Sequence, residues 1–157
     1  MPDLPAPRQA WRMVKEKYAP TAFSGEGAAK VGGRWNSRGT WVVYASATRS
    51  LAALETLVHL NPPVHFRHVI FSIEFDPSLV ETLTDLPKNW RDEPAPPSTQ
   101  HLGDTWAREL RTPILELPSV LIPGESNFLL NPAHPAFREI TISPPVPFTF
   151  DPRLCLC

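Results

Sequence analysis

The chain has 157 residues, a net charge of −1 at pH 7, and 42% hydrophobic against 20% charged residues. That length predicts one domain with a core of its own, and the near-neutral balance argues against a broad basic face for nucleic acid, leaving only local basic clusters. The start, MPDLPAPRQAWR, lacks the apolar stretch of a signal peptide, and no apolar run approaches the roughly 18 residues of a membrane helix, so a soluble, cytoplasmic protein without membrane contact is expected.

Both cysteines, Cys155 and Cys157, sit at the end of the chain with one residue between them. That spacing strains a bridge and offers no Cys-based zinc site. Twenty prolines, concentrated after residue 86, favour short strands and turns over long helices in that half.

In chain order, residues 1–10 read as an irregular lead-in and Trp11–Val14 as a short strand with Arg12 opposite Trp11 and Met13. Phe23–Gly39 carries five of the seven glycines and no sustained apolar period, which predicts a loop. Thr40–Ala45 is β-branched and aromatic, a strand with Trp41 and Val43 on one face and Val42 and Tyr44 on the other. A helix follows from Arg49 to Leu60, stopped by Asn61-Pro62-Pro63. Its apolar stripe is Leu51, Leu54 and Val58, with Glu55 at the stripe's edge.

His68–Phe75 alternates cleanly as a strand. Residues 84–101 read as a proline-interrupted surface loop, and Gly103–Leu110 as a short helix with Trp106 and Leu110 inward. Residues 113–117 and 119–122 are two strand-like runs divided by Pro118, Asn127–Pro135 is turn-rich, and Glu139–Ile142 and Pro147–Phe150 close the chain as strands. There is no internal repeat.

Four residues carry candidate chemistry. Arg34, behind Gly32-Gly33, can present its planar fork to a pyrophosphate while the backbone at Gly33 bends clear. The surroundings are neither a GxGxxG fingerprint nor a P-loop. Tyr44 can stack on an aromatic ring with its hydroxyl free for a polar partner. Glu55 is a carboxylate on the inner side of a helix, suited to an oxocarbenium-like charge or a ribose hydroxyl. Ser119 can face the same cleft, with Ser126 as its competitor. Each also has a plain structural reading: a turn Arg, a core Tyr, a solvated Glu, a turn Ser. The five histidines show no metal-ligand spacing, and no nucleophile elbow is present.

Taken together, Trp11-Arg12, FSGEGAAKVGGRWNSRG, WVVYAS, LAALETLVH and PSVLIPGESNFLLNPAHP resemble, in order, the RES domain family, the toxin halves of bacterial RES–Xre toxin–antitoxin pairs. The likeness covers about residues 11 to 140, and 84–101 carries no motif. It implies a single RES domain over 1–157 with an α+β, ADP-ribosyltransferase-like fold, in which short helices flank a small central β-sheet region. It also implies NAD+ as substrate, cleaved by hydrolysis or with inorganic phosphate as co-substrate, and no metal. The family's Arg, Tyr, Glu and Ser fall on Arg34, Tyr44, Glu55 and Ser119. Arg12, Gly33, Arg34 and Tyr44 form the expected dinucleotide-binding set. The expected partner is a cognate Xre-type antitoxin, with a homodimer also compatible and no nucleic acid bound by this chain. The acceptor stays open among water, phosphate and a protein side chain. A protein ADP-ribosyltransferase and a non-catalytic nucleotide-binding module remain rivals.

Overall fold

The computed structural model of the protein describes residues 3–60 and 67–154. Cys155, Cys157, His65 and the expected helix stop at 61–63 lie outside them. Eight strands share one sheet: β1 Arg8–Lys15, β2 Val43–Ser46, β3 His68–Phe75, β4 Val80–Thr82, β5 Ile114–Pro118, β6 Ser126–Leu130, β7 Thr141–Ile142 and β8 Val146–Phe148. Their order is β4-β5-β6-β2-β1-β3-β7. β8 shares the outer edge of β3, pairing with His68 to Ile70 while β7 takes Ile73 and Glu74. The β4–β5 pair is parallel and the others antiparallel. Three α-helices accompany the sheet: α1 Glu26–Val31, α2 Arg49–Leu57 and α3 Pro97–Arg108. The class is α+β. No helix among the described residues is long and apolar enough to cross a membrane.

Strand alternation divides the core between the two sheet faces. Val43, Ala45, Ile114, Phe128 and Leu130 pack with Ala10, Ile73 and Phe75 on one side. Leu115, Leu117 and Leu129 pack with Val42, Trp35 and Trp106 on the other, under α3. At that contact Gly103 of α3 has no room for a side chain, since a Cβ there would stand 1.7 Å from the Trp35 carbonyl oxygen.

The sheet is uneven at its middle. β1 and β3 stay in register over the whole of both strands, from Arg8↔Phe75 to Lys15↔His68. β1 and β2 register only at Trp11↔Ser46. Beyond that pair the strands part. Two β1 arginines reach across the gap: Arg12 bonds the Tyr44 carbonyl at 2.8 Å, and Arg8 grips Glu116 of β5 at 2.9 and 3.0 Å while lying over the Phe128 ring.

Several sequence expectations are corrected. The lead-in ends earlier, because Arg8–Ala10 already pair in β1. The glycine-rich loop contains α1, which Ser24 opens by accepting the Glu26 N–H (3.1 Å) and a Glu26–Lys30 pair supports. β2 starts at Val43, with Val42 buried beside it and Trp41 exposed. α2 turns a different face inward. Leu51 and Ala52 are buried, while Leu54 is 39% and Val58 56% exposed. Those two form a shallow apolar groove with Leu57, Leu121 and Ile122.

The expected loop at 84–101 yields at Pro97 to α3, since proline is tolerated at the first helical turn. Trp106 is inward, but Leu110, beyond the helix end at φ +52°, is exposed. Residues 119–122 are a turn rather than a strand. The Ser119 N–H bonds the Glu125 carbonyl (2.9 Å), which closes the β5–β6 hairpin. Asn127 to Leu130, expected in a turn-rich segment, form a central strand with Phe128, Leu129 and Leu130 fully buried. The closing strands form but are shorter than expected.

Two tests follow from this packing. Gly103→Ala is expected to destabilise the protein by about 3 kcal/mol in urea unfolding, because the clash is with backbone and cannot be relieved by a rotamer change. Glu116 is held below its ordinary pKa of 4.5 chiefly by its hydrogen bonds from Arg8. Its folded pKa lies below its unfolded one, so its stabilisation is present above the unfolded value and lost as pH falls through the folded one. Glu116→Gln should therefore melt lower than wild type at pH 7, and the gap should close as the medium is acidified below about pH 4.

Candidate active site in the split of the sheet

Where β1 and β2 part, a cavity of about 510 Å³ opens, lined among others by Arg12, Gly33, Arg34, Tyr44 and Glu55. This is within the size range of small-molecule sites, about 300–1,000 Å³. Five of the six sequence-named residues thus line one space. Ser119 does not line it but is bonded to one that does.

Arg12 maintains the split. Its Nε donates to the Ala22 carbonyl (2.7 Å) and its Nη1 to the Tyr44 carbonyl (2.8 Å), and its guanidinium lies over Phe23. Burial lowers its pKa to about 10, which leaves it cationic at neutral pH. The second bond satisfies a β2 carbonyl where the strand pairing is interrupted, and the first ties the turn at Ala22 to β1.

Tyr44 finds the polar partners of its hydroxyl within the protein. Its ring lines the cavity, but its hydroxyl is engaged, donating to Asn36 Oδ1 (2.6 Å) and accepting from the Trp35 N–H (3.1 Å). Burial pushes its phenol pKa up, so it is a neutral strut. Gly33 is needed beside it, because a Cβ there would stand 2.6 Å from the Tyr44 hydroxyl.

The turn that carries Arg34 is clamped by α3, which the sequence reading did not anticipate. Thr99 donates to the Arg34 carbonyl (2.6 Å) and Gln100 to the Gly33 carbonyl (3.0 Å). Asp104 accepts from both the N–H and the hydroxyl of Ser37. The Arg34 guanidinium bonds the 90–93 loop: Nη1 donates to the carbonyls of Trp90 (2.8 Å) and Asp92 (2.7 Å), and Nη2 to the Glu93 carboxylate.

Glu55 lies on the same side of α2 as the buried Leu51 and Ala52, joined by Thr56 and His59 along the cavity wall. Its Oε1 accepts from Ser119 Oγ (3.0 Å) and Asn127 Nδ2 (2.7 Å). The Ser119 hydroxyl also accepts the Ile122 N–H (3.2 Å), so it acts as a positioning group rather than an unencumbered nucleophile. Asn127 Oδ1 in turn accepts from Ser46 Oγ (2.7 Å), which fixes the amide with its NH2 toward Glu55. Asn127 was missed because its segment read as turns. Once it is placed on β6, it falls on the same face as Leu129 and Tyr44's partner positions. Oε2 has no partner among the described residues. No cluster of three or more His, Cys, Asp or Glu among them is placed to hold a metal.

This arrangement offers one fixed carboxylate, two fixed arginines and an aromatic wall around a ligand-sized space. A protein-family model described as the RES domain matches residues 9–151. The chain belongs to the RES domain family. Similar proteins include a "Toxin Res" of Yersinia enterocolitica, 40% identical over 148 residues that span 92% of this chain and 97% of the relative. A "Prs ADP-ribosylating toxin" of Sphingobium sp. is 38% identical over 152 residues, spanning 92% and 94%. A chain in the crystal structure of the M. tuberculosis MbcT–MbcA toxin–antitoxin complex superposes with a TM-score of 0.73, covering 93% of this chain and 86% of that one. At 16% identity this last likeness is one of fold.

Within this RES domain the Tyr44 hydroxyl ties the strand to the Arg34 turn. Tyr44→Phe would leave Trp35 N–H and Asn36 Oδ1 without that partner. It is expected to cost about 1–3 kcal/mol in chemical unfolding, with the ring's packing in the cavity wall retained.

Proposed function

We propose that this RES domain is a toxin that breaks the nicotinamide–ribose bond of NAD+, as a glycohydrolase or phosphorylase. The observation that carries the reading is the Glu55 carboxylate, held by Ser119 and Asn127, in one cavity with Arg34. Nicotinamide leaves the ribose as a neutral molecule from a cationic bond, so the site needs no strong acid. What needs help is positive charge growing on the ribose. A carboxylate already fixed in place stabilises that charge without reorganising at the moment of reaction.

Arg34 anchors the pyrophosphate and holds the dinucleotide in a reactive pose, and the Tyr44 ring packs against the nicotinamide end. Ser119 and Asn127 act through Glu55. Water or phosphate then attacks the anomeric carbon from the side opened by departure, giving ADP-ribose or its 1-phosphate. A second reading, transfer of ADP-ribose to a protein, is supported by the likeness to the Sphingobium ADP-ribosylating toxin. The likeness to a chain of a toxin–antitoxin complex supports a cognate antitoxin as partner, one that covers the cavity mouth.

The test is purified protein with NAD+, with and without phosphate, with products separated by chromatography. Free nicotinamide with ADP-ribose or its phosphate is expected, and label confined to an added protein would instead select transfer. Arg34→Ala and Glu55→Gln should each lower turnover by ~100-fold or more. Ser119→Ala and Asn127→Ala should each cost about tenfold, since one bond to Glu55 remains in either variant. Unchanged turnover in both Arg34→Ala and Glu55→Gln, with folding intact, would remove this mechanism.

A further inference from the structure

An arginine side chain has five N–H donors, and on Arg34 three are taken. Both Nη1 hydrogens go to backbone carbonyls, those of Trp90 and Asp92, and one Nη2 hydrogen goes to Glu93. Nε and the other Nη2 hydrogen have no partner among the described residues. The two kinds of partner differ physically. The carbonyls are neutral and belong to a loop anchored by Trp90, whose ring lies 6.4 Å from that of Trp35. Glu93 is a charged side chain, 80% exposed, on a guanidinium only 15% exposed. A carboxylate in that position occupies Arg34 as an anionic oxygen acceptor, the same role a phosphate oxygen would take.

We propose that Glu93 is the exchangeable occupant of an anion seat on Arg34 and sets the affinity threshold of the site for phosphate-bearing ligands. The two carbonyls keep the guanidinium aimed. Glu93 holds Nη2 until a pyrophosphate oxygen takes its place, with Nε available as the second prong. Exchange requires only rotation of the Glu93 side chain into water, and because that carboxylate is 80% exposed, solvent screening weakens the pair enough for it to be released. The loop backbone stays where it is. A ligand lacking phosphate has nothing to offer Arg34 and leaves Glu93 in place, so its binding does not sense the pair. This inference rests on the reading of Arg34 as the dinucleotide's anchor and adds to it the residue that competes for the seat.

The experiment compares wild type, Glu93→Gln and Glu93→Ala, with Glu109→Gln as an exposed control elsewhere. Inorganic pyrophosphate binding is followed by calorimetry at low and high salt, and NAD+ and nicotinamide riboside turnover are measured alongside, with circular dichroism to check folding. Both Glu93 variants should bind pyrophosphate about threefold tighter than wild type at low salt, with the difference shrinking at high salt as the competing charge is screened. KM for NAD+ should fall by a similar factor with little change in kcat, and nicotinamide riboside kinetics should not respond. Pyrophosphate that fails to bind wild type, or binds the folded variants equally or more weakly, overturns the proposal. Tighter pyrophosphate binding in a protein that leaves NAD+ intact would uphold the anion seat and reject the NAD+-cleaving reading. NAD+ cleavage with no response to Glu93 substitution would do the reverse.

Discussion

Between β1 and β2 the ladder makes one registered pair, Trp11 opposite Ser46, and then opens. Backbone carbonyls at such a break must find other donors or lose free energy. Arg12 supplies one, reaching from β1 to the Tyr44 carbonyl, and its Nε holds the Ala22 carbonyl in the turn beyond β1. Arg8 ties the same strand to Glu116 on the far half of the sheet. The two halves are therefore held together by arginine side chains where strand pairing is missing, and the space between them becomes the cavity. An opening made this way is lined by strand residues whose directions are set by the pleat, which is a rigid setting for chemistry.

The inward face of α2 follows from that cavity. A helix packed on a closed core would turn Leu51, Leu54 and Val58 inward. Here only Leu51 and Ala52 meet packed sheet, and the next turns meet a polar space. Glu55, Thr56 and His59 line it while Leu54 and Val58 face outward. Glu55 is retained on the inside because Ser119 and Asn127 satisfy one of its oxygens. The β5–β6 hairpin provides both of those groups. Closure of that hairpin and placement of the carboxylate are thus one event.

The Arg34 side of the cavity depends on sequence far downstream. α3 grips the turn through Thr99, Gln100 and Asp104, and Gly103 lets the two backbones meet. The 90–93 loop then fixes the direction of the guanidinium. Residues 90–104 therefore place the Arg34 turn and its guanidinium.

Much was already written in the chain. The alternation of His68–Phe75, the strand carrying Tyr44 and the helix beginning at Arg49 follow from local pattern, and the family resemblance groups Arg34, Tyr44 and Glu55, which all line one cavity. Local pattern failed where a strand is fully buried and flanked by prolines, as at Asn127–Leu130, and where one proline starts a helix instead of preventing it, as at Pro97. It also could not reveal that the Tyr44 hydroxyl is taken by Asn36 and Trp35, that Asn127 holds Glu55, or that Arg34 is engaged by Glu93. Side-chain periodicity reports which way a residue points along its own element, and so the sequence alone determined the clean strands, the start of α2 and a set of candidate residues. Which face of α2 is inside, and which partners Glu55 and Arg34 meet, depends on contacts between residues 56 or more apart, and only the assembled sheet, with its break at Trp11–Ser46, decides those.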